Sequence, residues 1–135
     1  MKLQPKFLTF DQVLALHDLQ IKEFGGSPGV KSEELLLSAI GQPESGFGDD
    51  YFHKTLHDMA AAYLFHLVKN HAFNDGNKRI AALSSSVFLE INGFTITADE
   101  NEFEKLVLDA AQSLVTKDQI AAFFIKNSKE NLPET

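Results

Sequence analysis

The sequence predicts an all-α protein, a single-domain bundle of about six helices. Three observations support this fold class. Apolar residues recur at helical spacing along most of the chain, capping residues stand where these patterns begin, and clusters of Gly and Pro separate them. The chain has 135 residues, of which 44% are hydrophobic, and this is enough to bury one core without disulfides. We therefore expect one domain over residues 1–135.

The first two helices have N-terminal caps that can be read from the sequence. Thr9 and Gln12 are spaced as a capping box, and apolar residues between positions 13 and 24 supply the buried face of the first helix. Glycines and a proline end that helix. Ser32 then caps a short second helix. Residues 41–50 are rich in turn formers, and either a loop or a small hairpin flap fits them.

Two strongly apolar segments are expected to be the central helices. The third helix starts at Thr55, runs to about Val68 and is apolar on nearly all sides. The fourth covers residues 80–91 and ends at Asn92, a normal C-terminal stop before glycine. A polar connection between these two helices interrupts the helical pattern.

The C-terminal part of the chain predicts two further helices. A short extended piece over residues 94–97 precedes a helix over residues 100–114. Thr116 and Gln119 form a second capping box, which starts a last helix that ends at about residue 127. Residues 128–135 are polar, so we expect them to form a frayed tail.

Composition excludes several classes of function. The formal charge is −7 and no stretch is rich in Lys and Arg, which argues against direct binding of nucleic acid. The chain has no cysteine, which is compatible with a reducing compartment. We see neither a signal peptide at the N-terminus nor an apolar run long enough to span a bilayer. We therefore expect a cytoplasmic protein that does not contact membranes.

The connection between the two central helices is too polar to be a simple turn. Residues 71–79 read HAFNDGNKR and supply an imidazole, a carboxylate, two amides, a glycine and two cations. A plain connector needs only a few turn residues. Its last residue, Arg79, is the only arginine in the chain. Guanidinium binds phosphate in a bidentate way that lysine does not reproduce.

We interpret this connection as an anion site. Gly76 permits a tight turn, and the next helix should start near Asn77, where its first N–H groups lack intrahelical partners. Lys78 and Arg79 would stand beside the positive end of that helix, which is normally unfavourable. An anion such as phosphate, bound among these groups, would explain their position.

Two other residues of the connection are suited to phosphoryl chemistry. Asp75 is a candidate ligand for a Mg²⁺ ion that bridges phosphate oxygens, because hard cations favour carboxylate and phosphate oxygens. His71 is a candidate general base at neutral pH. Phe73, between them, is expected to anchor the connection in the core.

The same residues resemble the signature of the Fic/Doc family, His-x-Phe-x-Asp/Glu-Gly/Ala-Asn-Gly/Lys-Arg. The resemblance covers nearly the whole chain. Further segments resemble the Doc ("death on curing") branch of the family, namely Leu16-His17-Asp18, Phe24-Gly25-Gly26, Gly29-Val30, Leu36 to Pro43, Phe88-Leu89 and Asn92-Gly93.

The resemblance implies a six-helix fold that uses ATP and Mg²⁺. Transferred to this sequence, it implies that His71 deprotonates a protein hydroxyl and that Asp75 binds Mg²⁺. It also implies that phosphates are held by Asn77, Lys78 and Arg79, together with the amide of Gly76.

The two branches of the family imply different reactions. Fic members mostly attach AMP to a target hydroxyl, whereas the Doc toxin phosphorylates a threonine of elongation factor Tu. Fic proteins usually have glycine where this sequence has Lys78, and Doc has lysine. Gly76 departs from the alanine of Doc toward the Fic form. Because Lys78 changes both charge and volume inside the site, we expect a Doc-like kinase, with an AMP transferase as the alternative.

The resemblance also implies a protein that restrains the toxin. Fic enzymes often carry an inhibitory Ser/Thr-x-x-x-Glu-Gly/Asn motif, and the nearest match here, from Ser86 to Glu90, reads as ordinary helix surface. A separate Phd-like antitoxin is therefore expected to bind the chain. A catalytically silent binding module and a hydrolase of small phosphorylated compounds remain as other hypotheses. We interpret His17 as a residue of the core edge or surface.

Overall fold

The computed structural model describes residues 4–131 and confirms the all-α class, with six helices in that range and only short strands. In chain order the elements are α1 (Phe10–Phe24), α2 (Glu33–Gly41), β1 (Gly46–Phe47), β2 (Asp50–Tyr51), α3 (Leu56–Asn70), α4 (Asn77–Ile91), β3 (Phe94–Ile96), α5 (Glu100–Ala111), α6 (Lys117–Lys126) and β4 (Ser128–Glu130). The strands form two antiparallel pairs, β1 with β2 and β3 with β4.

Helix α3 lies at the centre of the bundle. It packs against α2, α4, α5 and α6, and its middle, from Met59 to Leu64, is buried without interruption. Its main partner, α4, is buried along one face. The prediction of two central helices is therefore confirmed. No helix within the described residues is long and apolar enough to cross a bilayer.

The predicted caps start the helices where the sequence places them. The side chains of Thr9, Ser32, Thr55 and Thr116 each accept a hydrogen bond from the backbone N–H three residues later. Thr9 and Thr116 complete capping boxes with a glutamine. These contacts satisfy N–H groups that have no partner inside the helix, so local sequence is sufficient to fix the helix starts.

The turn-rich segment before α3 is a hairpin. Gly46 pairs with Tyr51, and Phe47 pairs with Asp50. Gly48 occupies the tight turn with a φ of 62°, a left-handed conformation that glycine adopts without strain. The side chain of Phe47 is 84% exposed. Of the two alternatives for residues 41–50, the hairpin is the one observed.

The structure corrects the expectation of a frayed tail for residues 128–130. These residues form β4, in which Ser128 pairs with Ile96 and Glu130 pairs with Phe94. The backbone groups of β3 would otherwise lack partners, and the chain leaving α6 supplies them despite its polar composition. His57 of α3 also contacts the hydroxyl of Ser128, with 2.9 Å between Nε2 and Oγ. Residues 132–135 lie outside the described residues.

Helix α5 is shorter than predicted. It ends at Ala111, before the expected end at residue 114. Ser113 has a φ of 61°, which an α-helix does not tolerate, and the Leu114 N–H donates to the carbonyl of Asp109 across this turn. The reversal directs the chain into α6.

Two adjacent buried serines in α4 allow a matched test of the core. The Ser85 hydroxyl donates to the carbonyls of Ala81 and Ala82, whereas Ser84 Oγ has no hydrogen-bond partner within the described residues. Ser84→Ala should raise the free energy of unfolding by about 1 kcal/mol because it removes an unsatisfied buried hydroxyl. Ser85→Ala should lower it by a similar amount. Urea denaturation measures both, and a Ser84→Ala protein less stable than Ser85→Ala would contradict this account.

Candidate active site

A six-residue loop, residues 71–76, connects the two central helices. His71 ends α3 in a left-handed conformation, with φ 51° and ψ 48°. Gly76 precedes α4, also in a left-handed conformation, with φ 78° and ψ 19°. The polar residues of the loop therefore lie between two sharp backbone turns, next to the packed core.

The middle of the loop is anchored by Phe73 and Asn77. The Phe73 side chain is fully buried, so it holds the loop against the core. The Asn77 side chain accepts a hydrogen bond from the Phe73 N–H through Oδ1 and donates one to the Phe73 carbonyl through Nδ2, each at 3.0 Å. Both backbone groups of Phe73 are thus satisfied away from water, which an apolar anchor requires.

The chain between α1 and α2 supports the loop from outside. We call this part, residues 26–32, the bracing segment. Its Ser32 N–H donates to the Ala72 carbonyl at 3.0 Å, and the Asn74 N–H donates back to the Gly29 carbonyl at 3.1 Å. Hydrogen bonds in both directions fix the loop relative to the bracing segment.

His17 of α1 lies under the loop. Its side chain is 1% exposed, and its ring stacks on the Phe73 ring with centroids 3.8 Å apart and planes 11° from parallel. Nε2 lies 2.7 Å from the carbonyl oxygen of Asp75. A carbonyl only accepts hydrogen bonds, so Nε2 carries the proton and donates it. Of the two alternatives expected for His17, the surface is therefore wrong, and the residue lies at the edge of the core beneath the loop.

The Asp75 carboxylate is exposed and oriented by backbone amides. Oδ2 accepts from the Ser27 N–H at 3.1 Å, and Oδ1 accepts from the Gly76 N–H at 2.8 Å. These two hydrogen bonds, with help from the nearby Arg79 charge, lower the pKa of the carboxyl below its usual value. A Cβ added to Gly26 would lie 2.7 Å from Oδ2, so the bracing segment approaches this closely only because residue 26 is glycine.

The first turn of α4 is the positive end of the site. Gly76 provides no side-chain cap, and the first N–H groups of the helix have no partner inside it. The side chains of Lys78 and Arg79 are exposed. The guanidinium carbon of Arg79 lies 4.8 Å from the centre of the Phe24 ring. Gln20 Nε2 donates to the Arg79 carbonyl at 3.1 Å.

The sequence-predicted residues divide into two groups in the structure. His71, Asp75, Lys78 and Arg79 expose their side chains on the loop or the first turn of α4. The side chain of Asn77 is buried instead, and both ends of its amide are used by Phe73. The Asn77 side chain therefore supports the loop and has neither end of its amide left for an incoming ligand.

Sequence reasoning missed the contribution of α1 and of the bracing segment. His17 follows Val13 by four residues on the buried face of α1, and a polar ring at that spacing was the available signal. In the sequence, Gly26 and Ser27 indicate a helix stop, and Gly26 also belongs to a segment that resembles the Doc branch, but neither observation predicts their approach to Asp75. Phe24 was assigned to the apolar face, yet it is 57% exposed and contacts Arg79.

The anchoring role of Asn77 can be tested against a neighbouring asparagine. Asn77→Ala should lower the free energy of unfolding by about 2–4 kcal/mol, because it leaves the N–H and carbonyl of buried Phe73 without partners. Asn74→Ala removes one exposed hydrogen bond, from Nδ2 to the Pro28 carbonyl, and should cost less than about 1 kcal/mol. Chemical denaturation of both variants checks this, and equal losses of stability would contradict it.

Sequence comparisons with known proteins identify the family to which the chain belongs. A family model described as the Fic/DOC family matches residues 7–89. A protein of Escherichia phage P1 named protein kinase doc is 31% identical over 116 residues, which cover 86% of this chain and 90% of that relative. Toxin Doc of Mycolicibacterium smegmatis (strain ATCC 700084 / mc(2)155) is 39% identical over 102 residues, which cover 73% of this chain and 78% of that relative. The chain therefore belongs to the Fic/DOC family, and its relatives place it in the Doc branch.

Proposed function

We propose that this protein is a Doc-type toxin that acts in the cytoplasm as a protein kinase. In this proposal it transfers the γ-phosphoryl group of ATP to a Ser or Thr hydroxyl of a host translation factor, with elongation factor Tu as the substrate that the family resemblance implies. The names of the two relatives, one a kinase and one a toxin, support the assignment.

One observation carries the proposal: the N-terminus of α4 concentrates positive charge without any side-chain cap. Lys78 and Arg79 are exposed in its first turn, and the first N–H groups of the helix are free of intrahelical bonds. Cations at this end of a helix are unfavourable by themselves and become favourable when an anion is bound. The phosphate chain of a nucleotide is an anion of suitable size and charge.

The residues present also fit a magnesium ion held together with the nucleotide. Asp75 has a lowered pKa, so it is ionised at neutral pH, and each of its oxygens keeps a lone pair beyond the one used by a backbone amide. No cluster of three or more His, Cys, Asp or Glu residues suited to a metal occurs within residues 4–131. Mg²⁺ commonly binds to one or two carboxylates plus substrate phosphates, as this site would require. When bound, it would neutralise phosphate charge.

The proposed chemistry assigns a role to each exposed group. His71 takes the proton from the target hydroxyl, and the hydroxyl oxygen forms a bond to the γ-phosphorus. The bond from that phosphorus to the bridging oxygen breaks, and ADP leaves. Lys78, Arg79 and the amides at the start of α4 balance the negative charge during transfer. Phosphoryl transfer depends mainly on such positioning and charge stabilisation.

An AMP transferase is the second candidate, and Gly76 is the observation that favours it. Gly76 has a φ of 78°, and glycine at this position is the Fic form of the signature. In that reaction the hydroxyl would attack the α-phosphorus and diphosphate would leave. Lys78 favours the kinase, because the lysine matches Doc and adds volume and charge where Fic proteins usually have glycine.

The proposal includes a Phd-like antitoxin as the natural partner. The relative named Toxin Doc supports such a partner. Phe24 of α1 is 57% exposed and contacts Arg79, and it provides apolar surface beside the site for a helical segment of the antitoxin.

A labelling experiment tests the function directly. Purified protein is incubated with host lysate, Mg²⁺ and ATP labelled at either the α or the γ phosphate, beside His71→Ala and the control His57→Ala. We expect γ label, and no α label, on one main protein. His71→Ala should lower the rate by at least about 100-fold because it removes the general base. His57 lies at the opposite end of α3, so its variant should retain activity.

The outcomes separate the candidates. Transfer of α label would contradict the kinase and identify an AMP transferase. Transfer of neither label would contradict both and favour a silent binding module. Full activity of His71→Ala would contradict the role of His71 as the base.

The backbone of His71 gives a second test that separates function from stability. A left-handed conformation costs an L-residue about 1–2 kcal/mol, and glycine avoids this cost. His71→Gly should therefore leave the free energy of unfolding unchanged or raise it by up to about 1 kcal/mol, while activity is lost. Thermal or urea denaturation measures the stability. A strongly destabilised variant would indicate that His71 is retained for structure.

A further inference from the structure

One face of α1 contacts both ends of the anion site. His17, Gln20 and Phe24 are spaced by three and four residues, so they lie on the same side of the helix. His17 contacts Asp75, and the other two contact Arg79. None of the three belongs to the loop or to its signature.

We propose that this face of α1, which we call the positioning face (His17, Gln20, Phe24), sets the metal-binding carboxylate and the phosphate-binding guanidinium independently of each other. His17 positions Asp75, whereas Gln20 and Phe24 position Arg79. The inference rests on the proposed function in one respect, because the roles of Asp75 and Arg79 are taken from it.

His17 acts on Asp75 through the main chain. Its Nε2–H donates to the Asp75 carbonyl at 2.7 Å while its ring lies flat against buried Phe73. This fixes the backbone of Asp75, and the amides of Ser27 and Gly76 then fix the two carboxylate oxygens. An apolar ring would fill the same space in the core, but it would supply no donor to the carbonyl. The donor is therefore the feature that distinguishes a positioning role from packing.

Phe24 and Gln20 hold Arg79 without using its hydrogen-bond donors. The guanidinium lies 4.8 Å from the centre of the Phe24 ring, an attraction that involves the ring face and leaves all five N–H donors available. A carboxylate at this place would neutralise the guanidinium and occupy those donors. Gln20 fixes the backbone of the same residue at its carbonyl. Arg79 is thus oriented and still free to bind phosphate.

Four variants separate these roles. His17→Phe keeps an aromatic ring of similar size and removes the donor. His17→Gln removes the ring and keeps an N–H group at a similar distance from the backbone. Phe24→Ala removes the ring beneath Arg79. Leu19→Ala is the matched control, since Leu19 is on the same helix, is 60% exposed and lies outside the positioning face.

The first readout needs no ligand. Arg79 is the only arginine in the chain, so its Nε–H gives a unique resonance in a ¹H–¹⁵N spectrum. Loss of the Phe24 ring should shift this resonance, while His17→Phe should shift the amides of Asp75 and Gly76. Leu19→Ala should change neither set.

The second readout is binding of Mn²⁺, an EPR-visible substitute for Mg²⁺, with the β,γ-imido analogue of ATP. His17→Phe should weaken Mn²⁺ binding about tenfold in the presence of the nucleotide, the lower end of the effect of losing a residue that orients a metal ligand. Its nucleotide affinity without metal should be unchanged. Phe24→Ala should weaken nucleotide binding without metal about two- to fivefold. His17→Gln should restore most of the Mn²⁺ affinity.

Several results would overturn the inference. For His17, the contradicting results are unchanged Mn²⁺ binding in His17→Phe, or a loss of Mn²⁺ affinity in His17→Gln as large as that in His17→Phe. For Phe24, the contradicting result is unchanged nucleotide binding in Phe24→Ala. Effects of Leu19→Ala as large as those of the other variants would also contradict the inference. The proposed function fails separately. If the wild-type protein transfers neither label but the ligand-free resonances shift as described, the positioning face stands and the transferase does not. If the protein transfers label and the variants bind metal and nucleotide like wild type, the transferase stands and the positioning face does not.

Discussion

The two hydrogen bonds between the Asn77 side chain and the backbone of Phe73 are the constraint on which the site depends. Helices α3 and α4 are both buried, so the loop that joins them must turn beside the core, where unpaired backbone groups are costly. Phe73 anchors the loop and Asn77 satisfies its N–H and carbonyl. Contacts within the chain therefore hold the loop in place, and the first turn of α4 has no side-chain cap and is open to an anion.

This arrangement separates residues that hold the site from residues that present chemistry. His17, the bracing segment and Asn77 direct their hydrogen bonds to the backbone of the loop. His71, Lys78 and Arg79 keep exposed side chains as a result. Asp75 belongs to both groups, since backbone amides orient its carboxylate and lower its pKa while it stays exposed. Such preorganisation suits a reaction that depends on positioning charge.

The sequence predicted what depends on nearby residues and missed what depends on distant ones. Caps such as Thr9 and Thr116 act over three positions, so the helix starts were predictable. His17 meets Asp75 across 58 positions, and no local pattern reveals that contact. For Asn77 the residue type indicated a polar role, but the direction of its amide follows from the burial of Phe73. The prediction of a frayed tail at residues 128–130 was wrong for a similar reason, because the strand that pairs with these residues, β3, is distant in the sequence.

The measurement that tests the central claim most directly is a ¹H–¹⁵N titration of the wild-type protein with Mg²⁺ and the β,γ-imido analogue of ATP. The account predicts that the largest shift changes fall on the amides of Asn77, Lys78 and Arg79, with the Phe73 amide little changed because its bond to Asn77 persists. Shift changes confined to the β1–β2 hairpin, with the start of α4 unaffected, would contradict the claim that this helix end is the nucleotide site.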